Sequence, residues 1–270
     1  MRQTNRCPLV SIIIPTKNSE NTLSACLDSI GKQTYTNIEV IVVDSDSTDA
    51  TRQIATEFGA IIVSKDCGMA AARNFGAKFA RGQFLFHMDS DMRLSPVVVE
   101  ECVKAVRDGY CAAVVPQIYE GNGFFGKCRS LEFASLFNDD MIKSSRFIQK
   151  AAFEHVGGYD ESIDAGEDWD ITQKIESYCK IGRIGHPLVH GWGRYSLTRM
   201  VRKSYSYGKT VRRYLAKHPQ HAKHQWGPLR IKHISYRRLK EDPMHALGLS
   251  FVKTCEFTAG LIGMMVALFD

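Results

Sequence analysis

Asp89-Ser90-Asp91 comes directly after an apolar run from Gln83 to Met88. Two carboxylates one residue apart, at the end of a buried strand, need their charge compensated. A hard divalent cation does this when one or two carboxylates and the phosphates of a substrate share it. A turn with solvated acids uses the same residue types, so the position after an apolar strand is what favours the cation. Lys65 and Arg73 stand within reach in sequence to counter phosphate charge, and His190, ending the apolar run Pro187-Leu188-Val189, is a candidate third ligand or a structural histidine.

A second acidic group is Gly166-Glu167-Asp168-Trp169-Asp170. The helix expected after it puts Ile171, Ile175, Tyr178 and Cys179 on one stripe. On a helical wheel Asp168 lies within about 40° of the centre of that stripe, with Glu167 and Asp170 well away from it. Asp168 is therefore expected to point inward from the first turn, where the helix dipole favours its anion. Such a carboxylate suits a general base that accepts a hydroxyl proton; a purely dipole-stabilising acid is the plain alternative. Gly121-Asn122-Gly123-Phe124-Phe125-Gly126 matches a dinucleotide fingerprint by letter only. It lies far from the first strand, so a mobile loop near the substrate is expected instead. Trp169 and Trp192 are candidates for an acceptor wall or for the core.

These residues need a scaffold, and the first 115 residues supply its rhythm. Leu9–Ile14, Ile38–Val43, Ala60–Val63, Gln83–Met88 and Cys111–Val115 read as strands whose near-continuous aliphatic composition suits a sheet covered on both faces. Helical patterns lie between them at roughly 20–31, 48–58, 68–80 and 96–107. Ser47 is expected as an N-cap, and Pro96 in a first turn. Strand–helix alternation implies right-handed crossovers and a mostly parallel α/β sheet with helices on both faces. Ligands bind such sheets at the carboxyl ends of the strands. There Pro15-Thr16-Lys17-Asn18, Asp44-Ser45-Asp46-Ser47-Thr48-Asp49 and Asp89-Ser90-Asp91 are expected to converge.

After Pro116 the rhythm breaks. A helix is expected at about 127–137, a short strand at Phe147–Lys150 and a helix from Glu167 to about Lys180. Strands at Ile181–Ile184 and Pro187–Trp192 precede a basic helix at about 196–217. A polar, His-rich stretch with Pro219, Pro228 and Pro243 reads as a mobile linker. Leu247–Phe269 is strongly apolar, with Lys253, Glu256, Gly260, Gly263 and Ala267 on one narrow face. It suits an in-plane membrane helix or a packed, oligomer-forming one, while two charges argue against a simple span. The organisation expected is a domain over 1–215, with a nucleotide half at about 1–115 and an acceptor half at about 116–215, then a helical C-terminal extension over 216–270.

Composition sets the outer bounds. With 270 residues, 44% hydrophobic and 24% charged, the chain is neither disordered, collagen-like nor a small disulfide scaffold. The first apolar run is too short for a signal peptide. Eight scattered cysteines without a C-x-x-C pair are expected to be free thiols in a reducing cytosol. From His190 to Asp242, fourteen Lys and Arg face only Glu241 and Asp242, a local charge of +12 in a chain of +6. That block suits a polyanionic partner such as phosphates or an anionic leaflet. Nucleic acid is not expected, because no DNA- or RNA-binding motif accompanies the charge.

Val10–Asn18, Val42–Asp49, Gly68-Met69-Ala70-Ala71-Ala72-Arg73-Asn74, Asp89-Ser90-Asp91, Phe153–Asp160 and Gly166–Asp170, in that order, resemble the family 2 glycosyltransferases of the GT-A fold. The resemblance covers about residues 9–200. It implies a Rossmann-like sheet, a UDP- or GDP-linked sugar donor and an inverting single displacement. It would place Pro15, Thr16, Asn18, Asp44 and Asp46 around the nucleoside. Arg73, Asp89 and Glu167 would contact the nucleotide sugar, Asp91 with Asp89 and His190 would hold Mg2+ or Mn2+, and Asp168 would be the base. Many members carry a second acid where this chain has Ser45. The acceptor is expected to be a sugar or lipid-linked hydroxyl or phosphate, with the protein cytoplasmic, at the inner membrane face, and self-associating through its C-terminal helix. The rival readings are a sugar-phosphate nucleotidyltransferase, whose phosphate loop after strand one is missing here, and a silent nucleotide-sugar-binding module.

Overall fold

The structure, a computed structural model, describes residues 7–136, 144–194, 196–221 and 236–269. It divides into two compact units. The first comprises residues 1–115, 144–159 and 171–188; the second comprises 116–143, 160–170 and 189–270.

The first unit is built on β1 (Val10–Thr16), β2 (Ile38–Asp44), β3 (Ile61–Ser64), β4 (Phe84–His87), β6 (Ala112–Val114), β8 (Ser145–Gln149) and β9 (Ile181–Arg183), with the short β5 (Met92–Leu94) beside them in sequence. The seven-stranded order is β3-β2-β1-β4-β8-β6-β9. All recorded pairings are parallel except those of β8, which runs antiparallel to β4 and β6. The alternation of strand residues explains the two cores. Ile12, Ile14 and Val42 face one side, under α1 (Glu20–Gly31) and α4 (Val98–Arg107). Ile13, Ile41 and Val43 face the other, under α3 (Met69–Phe79), α6 (Lys150–His155) and α7 (Glu167–Tyr178). Gly76 lets α3 approach so closely that a Cβ there would overlap the Ile13 and Val43 side chains. Register aligns Thr16 with Asp44 and Ile13 with His87, so the three polar clusters leave the sheet at one edge.

Several local expectations change. The helix α2 (Thr51–Glu57) starts later than expected: Ser47 is no cap, and Asp49 instead accepts from the Thr51 amide at 3.0 Å. Pro96 lies before α4 rather than in its first turn. Ser145–Gln149, not Phe147–Lys150, forms the strand, because Lys150 already opens α6. Cys111 and Cys179 are a disulfide, against the expectation of free thiols. They lie 68 residues apart, and the Cys111 amide donates to Lys180 O at 3.1 Å, a juxtaposition that spacing alone does not reveal. Cys26, Cys102 and Cys128 are free and buried.

In the second unit β7 (Gln117–Asn122) pairs with β10 (Leu188–Arg194), and α5 (Gly123–Ser135) continues directly from β7. The glycine-rich segment is thus a strand end and a helix start rather than a loop, with Gly121 and Gly126 in backbone contact that no Cβ would allow. The basic helix α8 (Leu197–Lys217) starts at Ser196, whose hydroxyl accepts from the Arg199 amide. Of the expected linker, residues 222–235 lie outside the described residues. After α9 (Tyr236–Glu241), Pro243 opens the apolar α10 (Pro243–Val266), capped by Asp242. Gly208 of α8 meets Gly260 of α10, and Gly263 meets the Tyr205 backbone, so the two helices cross at van der Waals contact of their main chains.

The charged groups of α10 face inward. Glu256, nearly buried, pairs with Arg129, which also holds Glu132 at 2.6 Å; Lys253 reaches Glu132 at 3.0 Å and Glu256 at 2.8 Å. Burial lowers the pKa of Arg129, but the two carboxylates beside it outweigh this and hold it above its ordinary value.

Candidate active site at the carboxyl edge

At the end of β2, Asp44 is fully buried and satisfied from within the fold. It accepts from Thr16 Oγ1 (3.1 Å), Ser47 Oγ (2.6 Å) and the Ser47 amide (3.1 Å). Asn18, in left-handed backbone at φ 49°, accepts from the Thr48 amide at 2.9 Å, while its own amide donates to Ser47 Oγ at 2.9 Å. These bonds tie the loops after β1 and β2 into one rim that carries Pro15, Thr16 and Asp44. Asp46, at φ 52°, is exposed on it. Ser45 follows Asp44 and is almost fully buried. Its hydroxyl turns back to the carbonyls of Lys65 (3.2 Å) and Cys67 (3.4 Å), making it a brace between loops. Lys65 lies with Nζ 5.1 Å from the centre of the Phe75 ring.

At the end of β4 the charge compensation expected for Asp89 is largely internal. Arg73 Nη2 holds Asp89 Oδ1 at 2.7 Å, and Arg146 Nη2 holds Oδ2 at 3.3 Å. Both arginines are buried, at 2% and 4% exposure, so the pairing takes place with little screening. Arg146 also reaches His87 O at 3.5 Å, and the Arg73 guanidinium lies 5.2 Å from the Tyr159 ring centre. Beneath them the His87 ring is fully buried between Phe153 and Tyr159. Burial first, then the two guanidiniums, hold its pKa well below the ordinary imidazole value, so it is neutral. Cys26 lies behind this edge, and burial with the nearby Asp91 and Asp89 charges pushes its thiol upward. Asp91 is half-buried and offers a carboxylate oxygen within 4.8 Å of one from Asp89. Hard oxygen donors at this spacing fit a divalent cation. Sequence reasoning missed Arg146 and His87; the signal for Arg146 is a charge opening an otherwise apolar strand.

In the second unit, His190 Nδ1 faces Gln117 Oε1 at 3.2 Å, and its ring lies 4.6 Å from that of Tyr119. Asp168 and Glu167 occupy the first turn of α7, both half-buried. The inward carboxylate is Asp170 rather than Asp168: it is 0% exposed and is held by Lys217 Nζ (2.8 Å) and His218 Nε2 (2.7 Å). The wheel failed here because the first turn is covered by α8, not by the sheet that buries Ile171 and Ile175. Tyr207 of α8 sits in the field of the same acids. Burial raises its hydroxyl pKa, Lys203 opposes, and Glu167 and Asp168 add to the rise. Trp169 packs near Tyr214, with ring centres 5.9 Å apart; the Trp192 side chain lies outside the described residues.

The family model for glycosyl transferase family 2 matches residues 11–160. The chain belongs to this family. Among curated relatives, the glycosyltransferase GlyA of Streptococcus pneumoniae serotype 4 is 36% identical over 197 residues, which cover 71% of this chain and 25% of the relative. The Escherichia coli UDP-Glc:alpha-D-GlcNAc-diphosphoundecaprenol beta-1,3-glucosyltransferase WfgD is 44% identical over 88 residues, 31% of this chain and 35% of the relative. The chain thus spans about a quarter to a third of these relatives' lengths. Among solved structures, the mannosyltransferase PcManGT of Pyrobaculum calidifontis, in complex with GDP-Man and Mn2+, aligns with a TM-score of 0.66 at 21% identity. The alignment covers 98% of this chain and 88% of that one. The TarS 1-349 protein of S. aureus, in complex with UDP, aligns at 0.55, with 16% identity, over 95% and 90% of the two chains. These likenesses establish the GT-A fold.

Proposed function

We propose that this chain moves a sugar from a UDP- or GDP-linked donor to an acceptor hydroxyl or phosphate with inversion. The observation that carries the reading is the carboxyl edge of the family 2 sheet, where Asp89 is gripped by two buried guanidiniums and Asp91 stands two residues on. Pro15, Thr16, Asn18, Asp44 and Asp46 line the nucleoside side of the rim. Arg73 and Asp89 approach the ribose and phosphates, and Glu167 contacts the donor sugar. Asp91, with Asp89 and His190, would hold Mg2+ or Mn2+, and a tautomer in which Nδ1–H donates to Gln117 would put the imidazole lone pair on Nε2, as a ligand requires. The ion, when bound, supplies Lewis-acid neutralisation of the departing diphosphate. Asp168 accepts the acceptor's proton as its oxygen bonds to the anomeric carbon and the sugar–phosphate bond breaks, its electron pair leaving with the diphosphate. The roles divide along the chain as a nucleotide half over about 1–115, an acceptor half over about 116–215 and an extension over 216–270.

The extension supports a lipid-linked acceptor at an anionic membrane surface on the cytoplasmic side. Among the described residues α10 is long and apolar enough to cross a bilayer; it buries Leu249 and Val252 but leaves Leu247, Phe251, Phe257, Ile262 and Met265 exposed. Exposed Arg237, Arg238 and Lys240 stand just before it, which suits an in-plane helix at a negative leaflet. Flotation with anionic and neutral vesicles tests this. Recovery with anionic vesicles is expected, whereas equal recovery in the soluble fraction with and without vesicles refutes it. Light scattering without lipid decides whether a second copy covers the same face.

The chemistry is tested by incubating the full chain with UDP- and GDP-sugars, Mn2+ and a polyprenyl-diphosphate-sugar acceptor. Release of nucleoside diphosphate with product is expected, and Asp91→Asn, Asp168→Asn or chelation should each remove it. Turnover by chelated protein equal to the untreated protein would sink the metal role. Pyrophosphate release from a nucleoside triphosphate would favour the nucleotidyltransferase. Sugar binding without turnover under any condition would favour a silent binding module.

A further inference from the structure

The segment 160–170, which carries Glu167 and Asp168, is gripped by the last turns of α8 at four places. Arg213 Nη1 donates to Ser162 O at 2.9 Å. Tyr214, fully buried, packs near Trp169 and against Gly166. Lys217 Nζ bridges Asp160 Oδ2 and Asp170 Oδ1, each at 2.8 Å. His218 Nε2 lies 2.7 Å from the same Asp170 oxygen. A carboxylate only accepts, so His218 must donate there. Its ring centre lies 5.0 Å from that of Tyr214.

Asp170 is the centre of this clamp. It is fully buried, and its second oxygen has no hydrogen-bond partner among the described residues. Its charge therefore depends on Lys217 and His218, and removing either leaves a buried anion poorly compensated. Gly166 adds a geometric constraint. Its φ of 91° favours glycine, and a Cβ there would press within 3.1 Å of the Tyr214 ring and 3.3 Å of Trp169. The chain thus turns at Gly166 into α7 in one direction only. Residues i and i+2 of a helix lie about 200° apart, so holding Asp170 inward turns Asp168 away from the clamp.

We infer that Lys217 and His218 are positioning residues for the base: through Asp170 they fix the first turn of α7, and with it the direction in which Asp168 presents its carboxylate to the acceptor. The inference rests on the proposed role of Asp168. The clamp ties a side chain at the far end of a 21-residue helix to the proton transfer. A misplacement of about 1 Å at a reacting group costs on the order of 100-fold in rate.

The test compares Lys217→Met, His218→Gln, Lys217→Arg and Asp168→Asn in the full chain. It reads kcat, donor Kd by calorimetry and melting temperature. For Lys217→Met and His218→Gln, kcat is expected to fall about 10- to 100-fold while donor Kd stays within about twofold. Lys217→Arg, which keeps a cation on Asp170, should recover most of the rate. If Lys217→Met does not fold, Lys217→Gln takes its place in the same comparison. Lower melting temperatures with wild-type kcat in folded protein would overturn the inference by showing a purely structural clamp. Asp168→Asn separates the two ideas. An inert Asp168→Asn beside fully active clamp variants defeats the positioning role alone, whereas an active Asp168→Asn defeats the base assignment on which it rests.

Discussion

The strands of the first unit and the terminal helix of the second are patterned in opposite senses. β1 and β2 bury Ile12, Ile13, Ile14, Ile41, Val42 and Val43; their polar side chains are one buried pair near the start, Ser11 donating to Glu39 at 2.6 Å, and Thr16 and Asp44 at the carboxyl ends. α10 buries Leu249 and Val252 together with His245, Gly248, Glu256, Ala259 and Gly263, and exposes Met244, Leu247, Phe251, Phe257, Ile262 and Met265. In the sheet, apolar area removed from water is the main source of stability. In α10, close main-chain approach and a four-membered ion cluster fix the helix, while the apolar side remains uncovered. One chain thus contains a region whose stability is self-contained and a region whose apolar surface is directed at something else.

That contrast is sharpest where one partner of the ion cluster is removed. Arg129→Met leaves Glu132 and Glu256 facing each other with only the half-exposed Lys253 between them. It is expected to cost about 3–5 kcal/mol in denaturant unfolding, as breaking a buried ion pair does. In the sheet, Ile41→Val removes a single methylene from a fully buried site and should cost about 0.5–1.5 kcal/mol. By contrast, Leu247→Ala removes most of a side chain that is 75% exposed and should change stability by less than about 0.5 kcal/mol. A Leu247→Ala cost equal to that of Ile41→Val would erase the distinction between the regions. The same change should nevertheless weaken recovery with anionic vesicles.

The smallest effect concerns acid. Hydrogen bonds from Lys217 and Ser162 hold Asp160 below the usual carboxylate range. A depressed folded pKa adds stability above the unfolded value, near 4, and that contribution is lost as the pH falls through the folded value. The melting-temperature gap between wild type and Lys217→Met should therefore hold steady down to about pH 4 and narrow as the pH is lowered further. A gap that widens would contradict the Lys217–Asp160 pairing.

Much of this was legible in the residues. Apolar runs ending in Thr16, Asp44 and Asp89 were enough to expect strands whose carboxyl ends share an edge, because register is set by the parallel crossovers. The glycine side of α10 was legible from its spacing. The partners of Asp89 were not, since Arg146 arrives 57 residues later on a strand running the other way. Nor was the inward turn of Asp170, which depends on Lys217 and His218 in an element with no local relation to it. The Cys111–Cys179 bond was hidden for the same reason. Contacts set by the period of one element could be read; those made between distant elements could not.

The reversal of β8 has one further consequence. In a parallel strand the chain reaches the ligand-facing rim only on its way out, so the rim residues belong to the strand's last position and the loop after it. In β8 the chain passes that rim on its way in, and Arg146 is among its first residues. Arg146 can therefore serve the rim while the pairings of Phe147, Ile148 and Gln149 with β4 hold the strand behind it in register. The opening of β8 thus adds to the rim a cation that no outgoing strand supplies.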